Sequence, residues 1–392
     1  MDDVFVLSSA RTPVGNFQAS LASLSATKLG AVAVKAALER SGVPREKVEE
    51  LIFGNVLTGG EGQAPARQAA LFAGLPEHVC CTQVGKVCGS GLKSVMMAAQ
   101  AIACGDADVI IAGGMESMSN APYVLPAART GMRMGNSTAI DMMVNDGLWD
   151  VYGQQHMGSY ADKAARERNV TREDQDTFAI ESYRRSAAAQ KAGEFKAEIV
   201  PVEIAGKKGP TVVTDDDEPK NDKIDKLRTL KPAFNKDGTV TAGNASTIND
   251  GAAALVLASG RFVKANGLTP VARFAGQASA AQTPDWFTTA PVLAVKKVLE
   301  RMKLGAGDID YWEINEAFSV VTILAIREFK LDAAKNVNLR GGAVSIGHPI
   351  GASGARVTTT MLHVMKDKGL KRGLATACIG GGEASALVLE LV

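Results

Sequence analysis

The pattern in this chain that most restricts its fold is a string of features that occurs twice. The first copy runs CGSG (Cys88–Gly91), a helical stretch (Gly91–Ala103), a strand (Asp108–Ala112) and AGGMES (Ala112–Ser117). The second runs GASG (Gly351–Gly354), a helical stretch (Ala355–Lys368), a strand (Gly373–Ile379) and IGGGEAS (Ile379–Ser385). The order of parts is the same and their separations are similar. A duplicated α/β half explains this, and equivalent loops of two such halves can face one another. Cys88 is then expected beside the loop that carries His348, just before GASG, and near Cys378.

The flanking sequence fits strand–helix alternation, which implies mainly parallel sheets covered by helices. Val4–Ser8, Glu50–Val56 and Ser385–Leu391 read as strands, and Leu29–Arg40 and Pro291–Arg301 as helices. From about Asn120 to Asn244 the chain turns polar, with RTGMRMGN, KAGEFKAEIV, KKGP and TDDDEPKNDK, and reads as an insertion on one face of the core. It contains a helix near Thr171–Ala192, for which Thr171 is a suitable N-cap and Asp174 a carboxylate third position. The boundaries expected are 1–119 with 245–268 for the first half, 120–244 for the insertion and 269–392 for the second half.

Bulk properties exclude several classes. A net charge of +1 supplies no basic face for nucleic acid. No stretch of about 20 apolar residues suggests a membrane span. Five cysteines, an odd number without a C-x-x-C pair, argue against a disulfide framework or a zinc site. Reduced thiols and an N-terminus unlike a targeting segment suggest a cytoplasmic protein. No P-loop, G-x-G-x-x-G or G-x-S-x-G is present, which argues against a nucleoside triphosphatase, a nicotinamide enzyme and an α/β-hydrolase.

Candidate chemistry gathers where glycines are dense. Cys88 directly precedes a helix, and the partial positive charge of a helix N-terminus favours the thiolate. The same residue reads equally well as a buried structural thiol. Pro349 pushes His348 into an extended loop conformation, where it could act as a base or an oxyanion donor or sit as a turn histidine in water. Cys378 ends an apolar strand before three glycines whose N–H groups could meet a developing oxyanion; alone it reads as a core cysteine. Asn315 and Glu316 lie between a strand and a helix start, and could cap, hold a water or orient a ring. Cys80, Cys81, Cys104, His78 and His363 suggest no role.

Taken together, these pieces resemble the thiolase family, and within it the acetyl-CoA acetyltransferases. The resemblance runs through SSARTPVGNFQASL (Ser8–Leu21), FGNVL (Phe53–Leu57), VCGSGLKSV (Val87–Val95), AGGMESMSNAPY (Ala112–Tyr123), HMGSYAD (His156–Asp162), KPAFNKDGTVTAGNAS (Lys231–Ser246), NEAF (Asn315–Phe318), GGAVSIGHPIGASGAR (Gly341–Arg356) and CIGGGE (Cys378–Glu383). It implies a thiolase fold: two similar α/β/α halves forming a five-layered core, with an inserted loop domain. It implies reversible Claisen condensation of two acetyl-CoA through an acyl-Cys88 intermediate, with His348 as base toward Cys88 and Cys378 as base toward the second substrate. One oxyanion site would use His348 and a water held by Asn315, the other the N–H groups of Cys88 and Gly380. The resemblance places His156, Met157, Lys220, Phe234, Ala242, Ser246, Phe287 and Phe318 toward CoA. It implies no metal and no cofactor beyond the CoA thioesters themselves, and a homodimer or homotetramer.

The chain departs from the family pattern in four places. Gly85 replaces an Asn before the nucleophile, and Thr247-Ile248 replaces Gly-Leu. Asp285–Pro291 replaces a glycine-rich stretch, putting Phe287 against the acyl pocket, and Glu383-Ala384 replaces Met-Gly. These leave open a broad-range degradative 3-ketoacyl-CoA thiolase of fatty-acid metabolism. A ketoacyl-synthase-like enzyme would carry His where this chain has Cys378. A non-catalytic lipid carrier would lack one of Cys88, His348 or Cys378.

Overall fold

The computed structural model describes residues 2–207, 209–220 and 222–392, apart from the side chains of 220, 222, 223 and 225. Nine strands form the main sheet: β1 (Val4–Arg11), β2 (Glu50–Gly54), β3 (Cys80–Val84), β4 (Val109–Ser117), β5 (Asn249–Ser259), β6 (Ala272–Ala281), β7 (Tyr311–Ile314), β8 (Arg372–Ile379) and β9 (Glu383–Leu391). They lie in the order β7-β8-β9-β6-β1-β5-β4-β2-β3, with the two-residue strand Gly15–Asn16 beside β5. The order is the duplication made visible. In each half the first strand (β1 or β6) is antiparallel to the last (β5 or β9). The last is antiparallel to the strand after the glycine-initiated helix (β4 or β8), which is parallel to an earlier strand (β2 or β7). Within the sheet the described residues of the two halves pair only at Phe5 opposite Arg273 and Val6 opposite Ala272.

Helices α1 (Ala26–Ser41) and α2 (Pro65–Phe72) cover the outer face of the first half-sheet. Between the halves lie α3 (Ser90–Cys104) and, from the second copy of the repeat, the helix Ser353–Lys368. Strand alternation assigns side chains to layers, since successive residues point to opposite faces. Ile110, Ala112, Leu255 and Leu257 face α3, while Val109, Ile111, Ala254 and Val256 face α1 and α2. In the second half Ala375, Ala377, Leu387 and Leu389 face inward, and Leu374, Ala386 and Val388 face an outer helix, Ala290–Met302. The result is helix, sheet, helix pair, sheet, helix: five layers. Val87–Cys104 is long and apolar enough to cross a membrane, the only such helix among the described residues. Here it is the central helix of this core.

The two central helices touch at their glycine-rich starts. A methyl group at Gly354 would lie 2.1 Å from the Leu92 backbone nitrogen, and one at Gly91 would lie 2.9 Å from that of Ala355. This contact brings the Cys88 loop and the His348 loop together.

Residues 118–248 leave the sheet between β4 and β5. They hold three two-stranded hairpins and the helices α4 (Met157–Glu167) and α5 (Arg172–Ala192). Thr171 accepts from the Asp174 N–H while Asp174 accepts from the Thr171 N–H, a complete capping box. This segment is pinned to β1 by Arg11, which is fully buried and reaches Glu198 and Asp216, both at 2.7 Å. Burial works against the guanidinium, but the two carboxylates together hold its pKa above the ordinary arginine value. The longer helices that follow are α6 (Ala290–Met302), α7 (Ser319–Phe329) and α8 (Ser353–Lys368).

Candidate active site

Cys88 sits in a single 3₁₀ turn, Val87–Gly89, that leads into α3. The residue before it, Val87, is held at φ 43°. A β-branched residue in the left-handed region carries strain of about 1–3 kcal/mol and persists only where its surroundings over-determine it. Ser90 supplies part of that hold. Its Oγ accepts from the Lys86 N–H at 2.8 Å and donates to the Val87 carbonyl at 2.7 Å. The residue is half-buried and packs against Leu57, Met118 and Ile350. Burial pushes the Cys88 thiol up to about 11; the Gly380 N–H opposes the rise and the Glu116 charge adds to it. Desolvation works against the thiolate that the helix start favours, so activation of this thiol calls for a base.

His348 lies on the loop before α8 and is 5% exposed. Gly347 precedes it at φ 120°, where an added methyl would lie 2.5 Å from the Asn249 side chain. Asn249 in turn accepts from the His348 N–H at 2.8 Å. Nδ1 lies 2.6 Å from Ser353 Oγ, and that hydroxyl is 2.9 Å from the Pro349 carbonyl. A carbonyl can only accept, so the one Ser353 proton goes to Pro349. Nδ1 then carries the ring hydrogen, and Nε2 is left with its lone pair free. Nε2 is buried without a partner. Burial, reinforced by Arg356, lowers the pKa to about 3, so the ring is neutral. The alternative of a turn histidine in water is excluded.

Cys378 is fully buried at the end of β8. Burial pushes its thiol well up, and the neighbouring Cys88 sulfur pushes it further. Gly380 follows, where a methyl group would lie 3.4 Å from Met157 Sδ and 3.5 Å from Val87 Cγ1. Asn315, just past β7, donates its N–H to the Thr376 carbonyl. Its side-chain Oδ1 and Nδ2 are buried and both lack partners. Orphaned polar atoms are rare in protein interiors and mark places where a water or a ligand completes the bonding. Glu316 does not cap a helix. It accepts from Ser182 (2.7 Å), Asn338 (2.8 Å) and the Val344 N–H (3.2 Å), and so fastens the loop that leads to His348.

Several of the residues placed toward CoA form one wall. Met157, Phe287, Phe318 and Cys378 share an apolar cluster against which Phe234 packs. Phe287 and Phe234 each meet Phe318 edge-on at about 6 Å, and the His156 ring stacks on Phe234 at 4.6 Å. His156 also caps α4 by accepting the Gly158 N–H at Nδ1. Ala242 is separate from this wall. With Tyr183, Leu227, Leu230, Gly243 and Thr247 it lines a cavity of about 360 Å³. The Ser246 N–H donates to the Ala317 carbonyl, joining the NAS segment to NEAF. Lys220 ends the short turn Glu218–Lys220, and its side chain lies outside the described residues.

The departures from the family pattern also find places. Thr247 Oγ1 lies 2.8 Å from Asn249 Oδ1, the atom that holds the His348 N–H, and Ile248 packs in the Cys88 cluster. A side chain at Gly85 would meet open space.

Three supporting residues, Ser353, Asn249 and Glu116, escaped the sequence reading, and a fourth was only partly read. Ser353 and Asn249 set the His348 ring and loop. Glu316 was seen but given the wrong possible duties. Glu116 accepts from Asn55, the Val56, Leu57 and Gly351 N–H groups, and so ties both halves beneath Cys88. Glu116 alone carried a local signal, as a carboxylate inside a fully buried strand. Burial raises it to about 8.

Fold and site together describe a duplicated, five-layered α/β protein whose two glycine-rich helix starts touch, with two neighbouring cysteines and a buried, neutral histidine on the adjoining loops. Residues 4–261 match the family model for the thiolase N-terminal domain and residues 268–391 that for the thiolase C-terminal domain. The chain belongs to the thiolase family. It is 53% identical to Acetyl-CoA acetyltransferase 2 of Arabidopsis thaliana, over all of this chain and 97% of that one. It is 52% identical to Acetyl-CoA acetyltransferase of Cupriavidus necator over the full length of both. The crystal structure of Acat5 thiolase from Ascaris suum in complex with coenzyme A superposes with a TM-score of 0.95, at 46% identity and covering all of both chains.

Proposed function

We propose that this protein is an acetyl-CoA C-acetyltransferase that condenses two acetyl-CoA to acetoacetyl-CoA and CoA, and runs the reverse thiolysis. The observation that carries the reading is three buried side-chain atoms without partners, His348 Nε2 with Asn315 Oδ1 and Nδ2, on loops that accompany two neighbouring cysteines whose thiols burial pushes upward. Names of relatives near 50% identity over the full chain support it.

The reaction runs in two stages. His348 Nε2 takes the Cys88 proton and the sulfur attacks the acetyl carbonyl carbon. The oxyanion forms against the N–H groups of Cys88 and Gly380, each such donor contributing about 3 kcal/mol by mutational loss. The carbon–sulfur bond to CoA breaks, and proton balance assigns the Cys378 proton to the departing CoA sulfur. Cys378 is then a thiolate, made strongly basic by burial, and removes a methyl proton from the second acetyl-CoA. That substrate's thioester oxygen gains charge and is held by His348 and a water on Asn315. The carbanion attacks the acetyl-Cys88 carbon, the carbon–sulfur bond breaks, and Cys88 recovers its proton from His348. CoA and acyl-CoA are the only partners this chemistry needs, with no metal or further cofactor.

The test is steady-state thiolysis across 3-ketoacyl chain lengths. Acetoacetyl-CoA is expected to exceed six- and eight-carbon substrates in kcat/KM, with Phe287 limiting pocket depth; the reverse order would sink the short-chain reading.

The assembly we propose is a homodimer or a dimer of dimers. Two features support it: β3 ends the sheet with one unpaired edge, and the 123–152 segment exposes Tyr123, Leu125, Met134 and Tyr152. Sedimentation at micromolar concentration should show no monomer. The inserted segment, taken as residues 120–244, is proposed to cover the CoA-binding face.

A further inference from the structure

The loop before the nucleophile carries a charge that the reaction above leaves unused. Lys86 Nζ meets Glu383 Oε2 at 2.5 Å. Lys86 stands two residues before Cys88. Glu383 opens β9 directly after the turn Gly380-Gly381-Gly382 and pairs across that hairpin with Ile379. The ion pair thus closes a ring. One arm is Lys86-Val87-Cys88, the other runs from Glu383 back to Gly380, and the opposite closure is the Gly380 N–H at the Cys88 sulfur. Within the ring Ile379 fills the space at Gly89, where a methyl group would lie 2.3 Å from Ile379 Cδ1.

The Lys86 arm is short of other anchors, while the Glu383 arm is held by its β9 pairing and by the Gln282 N–H donating to the Gly382 carbonyl. Gly85 offers no side chain to pack. Gly381 and Gly382 adopt φ of 90° and 85°, open to glycine at no steric cost. Val87 is strained, and Ser90 holds it only from within its own turn. The Lys86–Glu383 pair is the charged link from that turn to the opposing loop. Lys93 on α3 feels both of its charges. The pair is also partly solvated, with side chains 22% and 38% exposed, so it contributes little to global stability. Its effect is geometric.

We infer that Lys86 and Glu383 form a positioning clamp that fixes the Gly380 N–H against Cys88 and so sets the acyl-enzyme oxyanion site. The inference rests on the acyl-Cys88 reading above. Two departures from the family pattern, Gly85 and Glu383, fall on the facing loops this clamp joins.

The experiment compares Lys86→Met, Glu383→Gln, the double variant and the charge-swapped pair Lys86→Glu with Glu383→Lys. Measured are kcat and KM for acetoacetyl-CoA thiolysis, Tm, and the rate at which acetyl-CoA acetylates Cys88, followed by mass spectrometry. Each single variant is expected to lower kcat and the acetylation rate about 10-fold, in line with the cost of small misplacements at a reacting centre. KM and Tm should stay near the parent values. The double variant should be no worse than either single one, and the swapped pair should recover most of the loss. Additive losses, a swap that rescues nothing, an effect on KM or Tm alone, or variants equal to the parent would overturn the clamp. Absence of acetyl-Cys88 in the parent protein itself would overturn the underlying reading instead.

Discussion

At Cys88 two influences oppose one another: a helix start and a backbone donor favour the thiolate, and burial disfavours it more strongly. Alkylation by iodoacetamide should therefore be slow at neutral pH and rise about tenfold per pH unit from 8 to 10 as the thiolate appears; a plateau reached below pH 8 would contradict this. His348 gives a second pH dependence. Its folded pKa lies near 3, below the unfolded value, so the unfolded chain binds the extra proton between those limits. Stability is then lost as pH falls from about 6.5 toward 3. His348→Asn should flatten that acid arm in Tm measured across pH, while lowering kcat about 1,000-fold.

Among the elements, the crossing of α3 and α8 is the most exacting. Gly354→Ala places its methyl on backbone, with no flexible side chain to yield, and should cost about 1–3 kcal/mol as overpacking, read by chemical denaturation. Removing one of the two carboxylates on buried Arg11 by Asp216→Asn should cost about 3 kcal/mol by the same measurement. The elements legible in the sequence were those with local signals: the capping box at Thr171, the glycine-initiated helices and the strands that follow them. Strand β5, by contrast, is buried on both faces and rich in alanine, so it shows no alternation to read. Strand β3 is short, and β6 has few β-formers. The site divides the same way. Cys88 and His348 were legible because the repeat makes their loops equivalent, whereas Cys378 and Gly380 took their roles from the motifs shared with the thiolase family. Asn249 was not, since its contact with His348 spans 99 positions. Ser353 read as an ordinary helix-start serine, and the burial that reverses the Cys88 titration comes from residues distant in sequence.

For the molecule as a whole, the middle layer belongs to neither half. Helices α3 and α8 share one apolar cluster with strands from both half-sheets, whereas the sheet seam between the halves is only two residue pairs. Strand β1 pairs along its length with β5, at Ala253–Ser259 far along the chain. During synthesis the first strand must therefore wait, unpaired on that side, for some 250 residues to emerge. Even then α3 has one bare flank until α8, some 250 residues further along the chain, leaves the ribosome. The doubled architecture makes this a protein that is born late: its first half stays an incomplete intermediate with apolar surface uncovered until the second half follows.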